Sequence, residues 1–316
     1  MLIIEAGPDG SWNPAVHNAE GKPFPATFCN WRYPAYGDDG QRLSYSIDAG
    51  ACIGGSTSIN AMVWFRPTEV EVNQLEKLGN PGWNWNTLKP YMEATERNIP
   101  PNADQVAQGA GVDPSLHGQN GFINTSFPTP MRIPGAVARY KQTFAKTFPR
   151  LVIRNDTSHR LSAASSAATT LYTIWHDPVT GKNRRSSAAD GLLWHQQQPT
   201  LTLLATHKVD KVLFAADQAT TATGVAFLPT NGTSATRLKA YASRGVILAA
   251  GTLASAPILE RSGVGREDVL RSVGVATVVD LPGVGANLNV SVNLSCLSFS
   301  VCLGLISLSF FLTGPT

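Results

Sequence analysis

Gly54 and Gly55 stand side by side after the apolar Ile53, and Ser56-Thr57-Ser58 follows at once. No other short segment of the chain restricts its fold as much. Two residues without Cβ atoms let the backbone turn tightly and approach a flat or anionic ligand closely. The hydroxyls that follow suit a helix start, where Ser56 or Thr57 would act as the N-cap and the first N–H groups would favour an anion. A helix is therefore expected from about Ser56. Taken alone, a tight turn leading into a helix accounts for the segment equally well.

Two further segments carry similar patterning. Leu2-Ile3-Ile4 is a short apolar run that ends in Glu5-Ala6-Gly7, as a buried parallel strand does where it stops at a ligand. Tyr241 to Ala250 is expected to be a strand that ends at Gly251, followed by a helix over Ser255 to Ser262. In open α/β sheets, ligands bind outside such carboxyl strand ends; plain sheet-to-helix packing is the alternative. Helices are also expected over Thr68 to Leu78 and Trp85 to Arg97, and strands in Thr200 to Phe214 and Gly224 to Leu228. The stretch Glu5 to Tyr45 is loop-like, dense in Gly, Pro, Asn and Asp. This mixture indicates an α/β (α+β) fold.

Composition narrows the function. Hydrophobic residues make up 43% of the 316, enough for a sizeable core, and the 28 glycines and 21 prolines favour a loop-rich enzyme over a helical bundle. The net charge is +3 with no Lys/Arg block, so no nucleic-acid partner is expected. Cys29, Cys52, Cys296 and Cys302 form no C-x-x-C pair, and no metal site is expected. G-x-S-x-G, H-E-x-x-H and G-x-x-x-x-G-K-[ST] motifs are absent. The six histidines are scattered, and each reads as a surface or structural residue rather than a base. Asn124, Asn155 and Asn231 open N-x-[ST] triplets, weakly consistent with secretion of a full-length parent, although no signal peptide follows Met1.

The two ends raise their own expectations. A strand like Leu2–Ile4 calls for neighbours on both sides, so it is either a sheet edge or the successor of an upstream βα unit. After Asp280 there is no charged residue, and Leu294 to Leu312 is apolar, Ser-rich and about long enough to span a bilayer. That tail reads as a membrane anchor, as a buried helix, or as intron read-through, since Val290-Ser291 can be encoded by a splice-donor string. Read-through is preferred, and a membrane partner is expected only if the tail is genuine.

Together these pieces resemble the glucose–methanol–choline family of FAD-dependent oxidoreductases, most closely its fungal glucose oxidase and dehydrogenase members. Gly54-Gly55-Ser56-Thr57 with Asn60, Trp64, Arg66 and Pro67 is similar to the family's first motif, and Gly251 through Gly265 to its second. Gly82-Trp83-Asn84-Trp85 with Pro90-Tyr91 and Glu96, His117-Gly118 with Gly121, Arg185 to Ala189, and Pro282 to Leu288 follow in family order. Ala51, Leu116 and Asn289-Val290-Ser291 depart from it.

The resemblance implies a Rossmann-like FAD lobe in residues 1–115 and 191–290, lacking its first βα unit. Residues 116–190 would be part of an antiparallel substrate lobe, and 291–316 the tail. It implies FAD as cofactor, with Glu5 on the adenosine ribose and Val209 near adenine. Gly54, Gly55, Ser56, Thr57, Asn60, Ala61, Met62, Val63 and Gly251 would lie along the cofactor. The implied reaction is hydride transfer from the CH–OH group of a small alcohol or sugar. The family's catalytic His pair is expected in a later segment, so no catalytic residue is assigned, and the chain as given is expected to bind FAD weakly or not at all and to be inactive. The alternatives are a relative recruited to non-redox cyclisation and a membrane-tethered, non-catalytic protein.

Overall fold

The structure is a computed structural model that describes residues 1–10, 13–20, 29–37, 39–131, 135–147, 152–154, 156, 166–195, 199–216, 220–230 and 236–288. The chain divides into two compact units. The first takes in Met1–Trp12, Ala26–Ser56 and His195–Val290, and the second Asn13–Pro25 and Thr57–Trp194. The apolar segment 294–312 and the residues Asn155, His159 and Asn231 lie outside the described residues. Among the described residues, no helix is long and apolar enough to cross a membrane.

In the first unit, Leu2–Ile4 forms a parallel pair with Thr202–Leu204, as its apolar run predicts, but the strand is not buried as expected: Leu2 is exposed, and Ile3 and Ile4 are half-buried. The ladder continues one step further, with Glu5 N–H donating to Leu204 O at 2.9 Å. Strands His207–Phe214, Ala222–Pro229 and Leu238–Tyr241 make an antiparallel sheet. Val212, Val225, Ala226 and Phe227 are buried in it. Helix Ser255–Arg261 is tied to this sheet at its end, where Ser262 Oγ accepts from Val212 N–H at 2.8 Å.

Two expectations fail in this unit. Glu5 to Tyr45 is not wholly loop. Asn30–Tyr36 and Arg42–Gly50 form an antiparallel hairpin. Most of its side chains are not buried, and Pro34 sits next to a register shift. Without a buried face there is no apolar alternation to read, and a proline argues against a strand. Conversely, Tyr241 to Ala250 is not one strand, because pairing stops at Tyr241. A strand exists only through a neighbour's hydrogen bonds, and no described strand flanks residues 245–250. Ile247 is accordingly 89% exposed.

In the second unit, helix Glu69–Lys77 begins where the sequence places it. Thr68 Oγ1 accepts from Glu71 N–H at 3.3 Å, and the Glu71 carboxylate accepts from Thr68 N–H at 2.6 Å. Thr68→Ala is expected to destabilise this unit by about 1 kcal/mol, read as a lower urea midpoint. Helix Trp85–Thr95 stops two residues earlier than expected, and Glu96–Asn98 becomes a strand parallel to Ile123–Thr125. The glycines of His117-Gly118 and Gly121 explain the break. A Cβ on Gly118 would lie 1.8 Å from Glu93 O, and one on Gly121 would lie 2.1 Å from Thr95 C. The returning chain thus presses directly on the helix end. Ala110, Phe127, Met131 and Leu171 form an apolar core beside Trp64 and Val112. Hairpin Ile174–Asp177/Lys182–Arg185 leads into helix Ala188–His195.

Candidate functional site

Glu5 leaves the parallel pair at the carboxyl end of its strand, where the sequence places a ligand. Its carboxylate accepts from Gly7 N–H at 2.8 Å and from Ala6 N–H. Burial pushes its pKa up, and these two bonds oppose but do not cancel that shift. An ionised carboxylate offers about four lone-pair sites, so two backbone donors leave it capacity for hydroxyls.

The loop after Glu5 is seated on the approach to the glycine turn. A Cβ on Gly7 would lie 1.8 Å from Ala51 O, and Pro8 O accepts from Ile53 N–H at 3.1 Å. Gly50 rests equally closely on the turn itself, since a Cβ there would lie 2.1 Å from Gly55 O. Gly54 and Gly55 adopt φ of 92° and 53°, and the space where a Gly55 side chain would project is open. The Glu5 strand end also meets the strand that carries Val209. Gly7 O accepts from Thr206 N–H and Glu5 O from His207 N–H, both at 2.9 Å. Val209 pairs with Phe227, but the register slips before Lys211. Such a bulge takes backbone groups out of the ladder.

The helix expected from Ser56 is a single 3-10 turn, Gly55–Ser58. Two of its hydroxyls reach other segments. Ser56 Oγ accepts from Gly50 N–H at 3.0 Å, and Thr57 Oγ1 accepts from Ala188 N–H at 2.9 Å. One turn aligns few peptide dipoles, so the anion-binding helix terminus expected here is not formed. Gly251, with φ of 82° and open space beside it, starts the turn into helix Ser255–Arg261. Its tie to the Glu5 strand runs through that helix and strand His207–Phe214.

Thr57, Asn60, Ala61, Met62 and Val63 belong to the second unit. Arg185, which is buried, organises them. It donates to Thr57 O at 3.1 Å, to Asn60 Oδ1 at 2.8 Å and to Val16 O at 2.9 Å. Asn60 Oδ1 also accepts from Met62 N–H at 3.0 Å, and Met62 has φ of 62°. Met62 O accepts from Thr173 N–H at 2.7 Å, and Val63 pairs with Tyr172. Arg185 and Ala188 are residues that the sequence matched to a separate motif. The structure joins that motif to the Thr57–Val63 segment.

A buried ionic cluster is the densest set of titratable groups among the described residues. Glu96, fully buried, pairs with Arg66 and accepts from His117 Nδ1 at 2.8 Å, Thr125 Oγ1 at 2.7 Å and Gly118 N–H at 3.1 Å. His117 Nε2 lies 3.1 Å from Asp156 Oδ2. Burial alone would lower the His117 pKa, but the hydrogen bonds and charges of Asp156 and Glu96 raise it to about 9. For Glu96, burial raises the pKa while His117, Thr125 and Arg66 together bring it below the usual value. The cluster locks a helix end to a strand, so His117 has the structural role expected of it. Asn124, the one sequon residue in the described chain, is half-buried beside Ser186, whose Oγ accepts from Asn124 N–H at 3.0 Å.

Sequence reasoning named Cys29 and Cys52 without placing one against the other, and it missed the seating of Gly7 on Ala51. Only the glycine itself signalled the second. Among the described residues, no three His, Cys, Asp or Glu residues converge as metal ligands.

Comparison with known proteins completes the picture. A family model described as GMC oxidoreductase matches residues 39–293. A glucose oxidase from Aspergillus carbonarius is 35% identical over 298 residues, which is 91% of this chain and 46% of the relative. Pyranose dehydrogenase 3 from Leucoagaricus meleagris is 30% identical, covering 92% of this chain and 46% of its own length. Among solved structures, an FAD-dependent oxidoreductase from Chaetomium thermophilum superposes with a TM-score of 0.75 at 29% identity, over 89% of this chain and 46% of that one. The chain therefore spans about half the length of these relatives. With the family model matched over most of its residues, the chain belongs to the GMC oxidoreductase family.

Proposed function

We propose that this chain is the FAD-binding portion of an oxidoreductase acting on the CH–OH group of a small alcohol or sugar. The observation that carries the reading is the convergence, in the first unit, of Glu5 at a parallel strand end with the Gly50–Gly55 turn and the bulged Val209 strand. The donor set fits an adenine dinucleotide. Glu5 keeps acceptor capacity for the ribose hydroxyls, the bulge at Val209 offers backbone to a base edge, and Gly55 leaves room for close approach. Gly54, Ser56 and Gly251 contribute backbone in the same unit, and Thr57, Asn60, Ala61, Met62 and Val63 lie in the second unit, where Arg185 holds Thr57 and Asn60. FAD bound there would supply the hydride acceptor. The chain's own residues bind and orient, and none of its histidines is assigned the substrate proton. The relatives' names support a sugar or alcohol as the donor.

The test is a titration of FAD into the purified chain, followed by quenching of flavin fluorescence. Weak, saturable binding is expected, since the chain covers about half of its relatives' length, and Glu5→Ala is expected to weaken it about 10- to 100-fold, as loss of hydrogen bonds to a charged group does. Absence of binding to the unchanged chain, or equal affinity of the variant, would sink the assignment of Glu5. Circular dichroism of the variant separates this from misfolding.

A further inference from the structure

Cys29 and Cys52 are both fully buried, and neither is disulfide-bonded in the structure. They nevertheless sit against one another. The Cys29 thiol hydrogen-bonds with Cys52, and Cys29 O accepts from Ala51 N–H at 2.7 Å, which extends the hairpin pairing by one step. A Cβ added at Gly10 would lie 2.9 Å from Cys29 Sγ and 3.6 Å from Cys52 Sγ, so both sulfurs face the same glycine. Gly10 belongs to the loop that follows Glu5, and Pro8 in that loop holds Ile53.

We propose that Cys29 and Cys52 form a modification site: an intrachain disulfide, installed by exchange with a small-molecule disulfide of the glutathione class, that staples the two ends of the hairpin beneath the Glu5 loop. One cysteine thiolate attacks oxidised glutathione, leaving a mixed disulfide and releasing one glutathione thiolate. The second cysteine thiolate attacks the protein sulfur of that mixed disulfide and releases the other. Two S–H bonds are lost from the protein and one S–S bond forms. The two cysteines give up two electrons, which reduce glutathione disulfide to two thiols.

Timing follows from burial. Desolvation, with the neighbouring Cys52 and the Glu5 charge, pushes the Cys29 thiol well above its usual range. The thiolate is the reacting form, so exchange in the folded protein is slow. The bridge therefore forms while the chain folds in an oxidising compartment, and once buried it resists reductant. It fixes the backbone on which Gly7 and Pro8 rest, and with it the wall behind Glu5.

The test refolds the full chain with a reduced and oxidised glutathione couple, blocks thiols with N-ethylmaleimide in denaturant, and maps tryptic peptides without reduction. Trypsin cuts at Arg32 and Arg42, so a bridge joins two otherwise separate peptides. Most molecules are expected to carry that linked pair. It should vanish with reductant and in both Cys29→Ser and Cys52→Ser. The oxidised protein should melt about 3–8 °C above the reduced one, the shift expected of a loop closure of this size. Complete alkylation of both cysteines after oxidative refolding would overturn the proposal. Linkage of either residue to Cys296 or Cys302, or a bridged form that melts no higher, would do the same. The principal readout uses the unchanged sequence, so a serine variant that fails to fold does not blunt it.

Discussion

Replacing Glu96 by leucine is expected to destabilise the second unit by about 3–5 kcal/mol, the usual cost of removing one partner from a buried ion pair. The carboxylate is the only described group that meets Arg66, His117, Thr125 and Gly118 N–H at once. Without it Arg66 loses its buried partner, although its guanidinium still reaches Leu116 O and, at 3.8 Å, Glu93. Arg66 Nε has no hydrogen-bond partner among the described residues. Urea denaturation checks the magnitude, with Thr125→Val as a milder companion of about 1 kcal/mol.

The same cluster sets a pH window. His117 has a folded pKa of about 9 against an ordinary 6.5, so its contribution is complete below pH 6.5 and is lost as pH rises through 9. Glu96 has a folded pKa below its ordinary 4.5, so its contribution is present above that value and is lost as pH falls through the folded pKa. Asp156 faces the far side of the ring, Asp113 lies nearby with its pKa held low by Ser115, and Glu93, beside Arg66, is paired with Lys89. Stability should therefore plateau between about pH 4.5 and 6.5 and decline toward pH 9. In Glu96→Leu the alkaline decline should shrink, since His117 keeps only Asp156. An unchanged alkaline slope in the variant would contradict the pairing.

What the sequence made legible was local. Thr68 and Glu71 announce their helix because a capping box needs residues only three apart. Thr200 to Phe214 announces its strands because apolar and polar residues alternate along it. The hairpin over residues 30–50 was illegible for the opposite reason, with both faces largely exposed and a proline inside. The apolar run before Gly251 suggests more strand than forms, because hydrophobicity favours a strand but pairing makes one. At the site, Glu5 and the adjacent glycines were visible as types of residue at strand ends. What their neighbours do was not. The Ser56 hydroxyl looks like a cap from its position, yet it accepts from Gly50, a contact created by the turn itself. Cys29 and Cys52 meet only because the intervening hairpin brings its ends together, and Arg66, Glu96 and His117 stand in three separate motifs until the fold joins them.

The second large effect concerns Gly7. Gly7→Ala is expected to cost about 3 kcal/mol or more, at the upper end for overpacking, because the added carbon meets backbone rather than a side chain that can rotate away. That carbon would lie 1.8 Å from Ala51 O and 2.6 Å from Cys52 N. Gly10→Ala should cost less, since its nearest obstacle is the Cys29 Sγ at 2.9 Å, the movable end of a side chain. Gly55→Ala has open space but a φ of 53°, so about 1–2 kcal/mol of left-handed strain is expected without a clash. Urea midpoints of the three variants thus separate steric exclusion from backbone strain, and the expected order is Gly7, then Gly10 and Gly55. If Gly7→Ala proved no worse than Gly55→Ala, the Glu5 loop would not be seated on the strand end at Ala51. The wall proposed for the nucleotide would then lose its support, whatever the affinity for FAD, because Glu5 is aimed by the two residues that follow it and by its backbone bonds to Leu204 and His207.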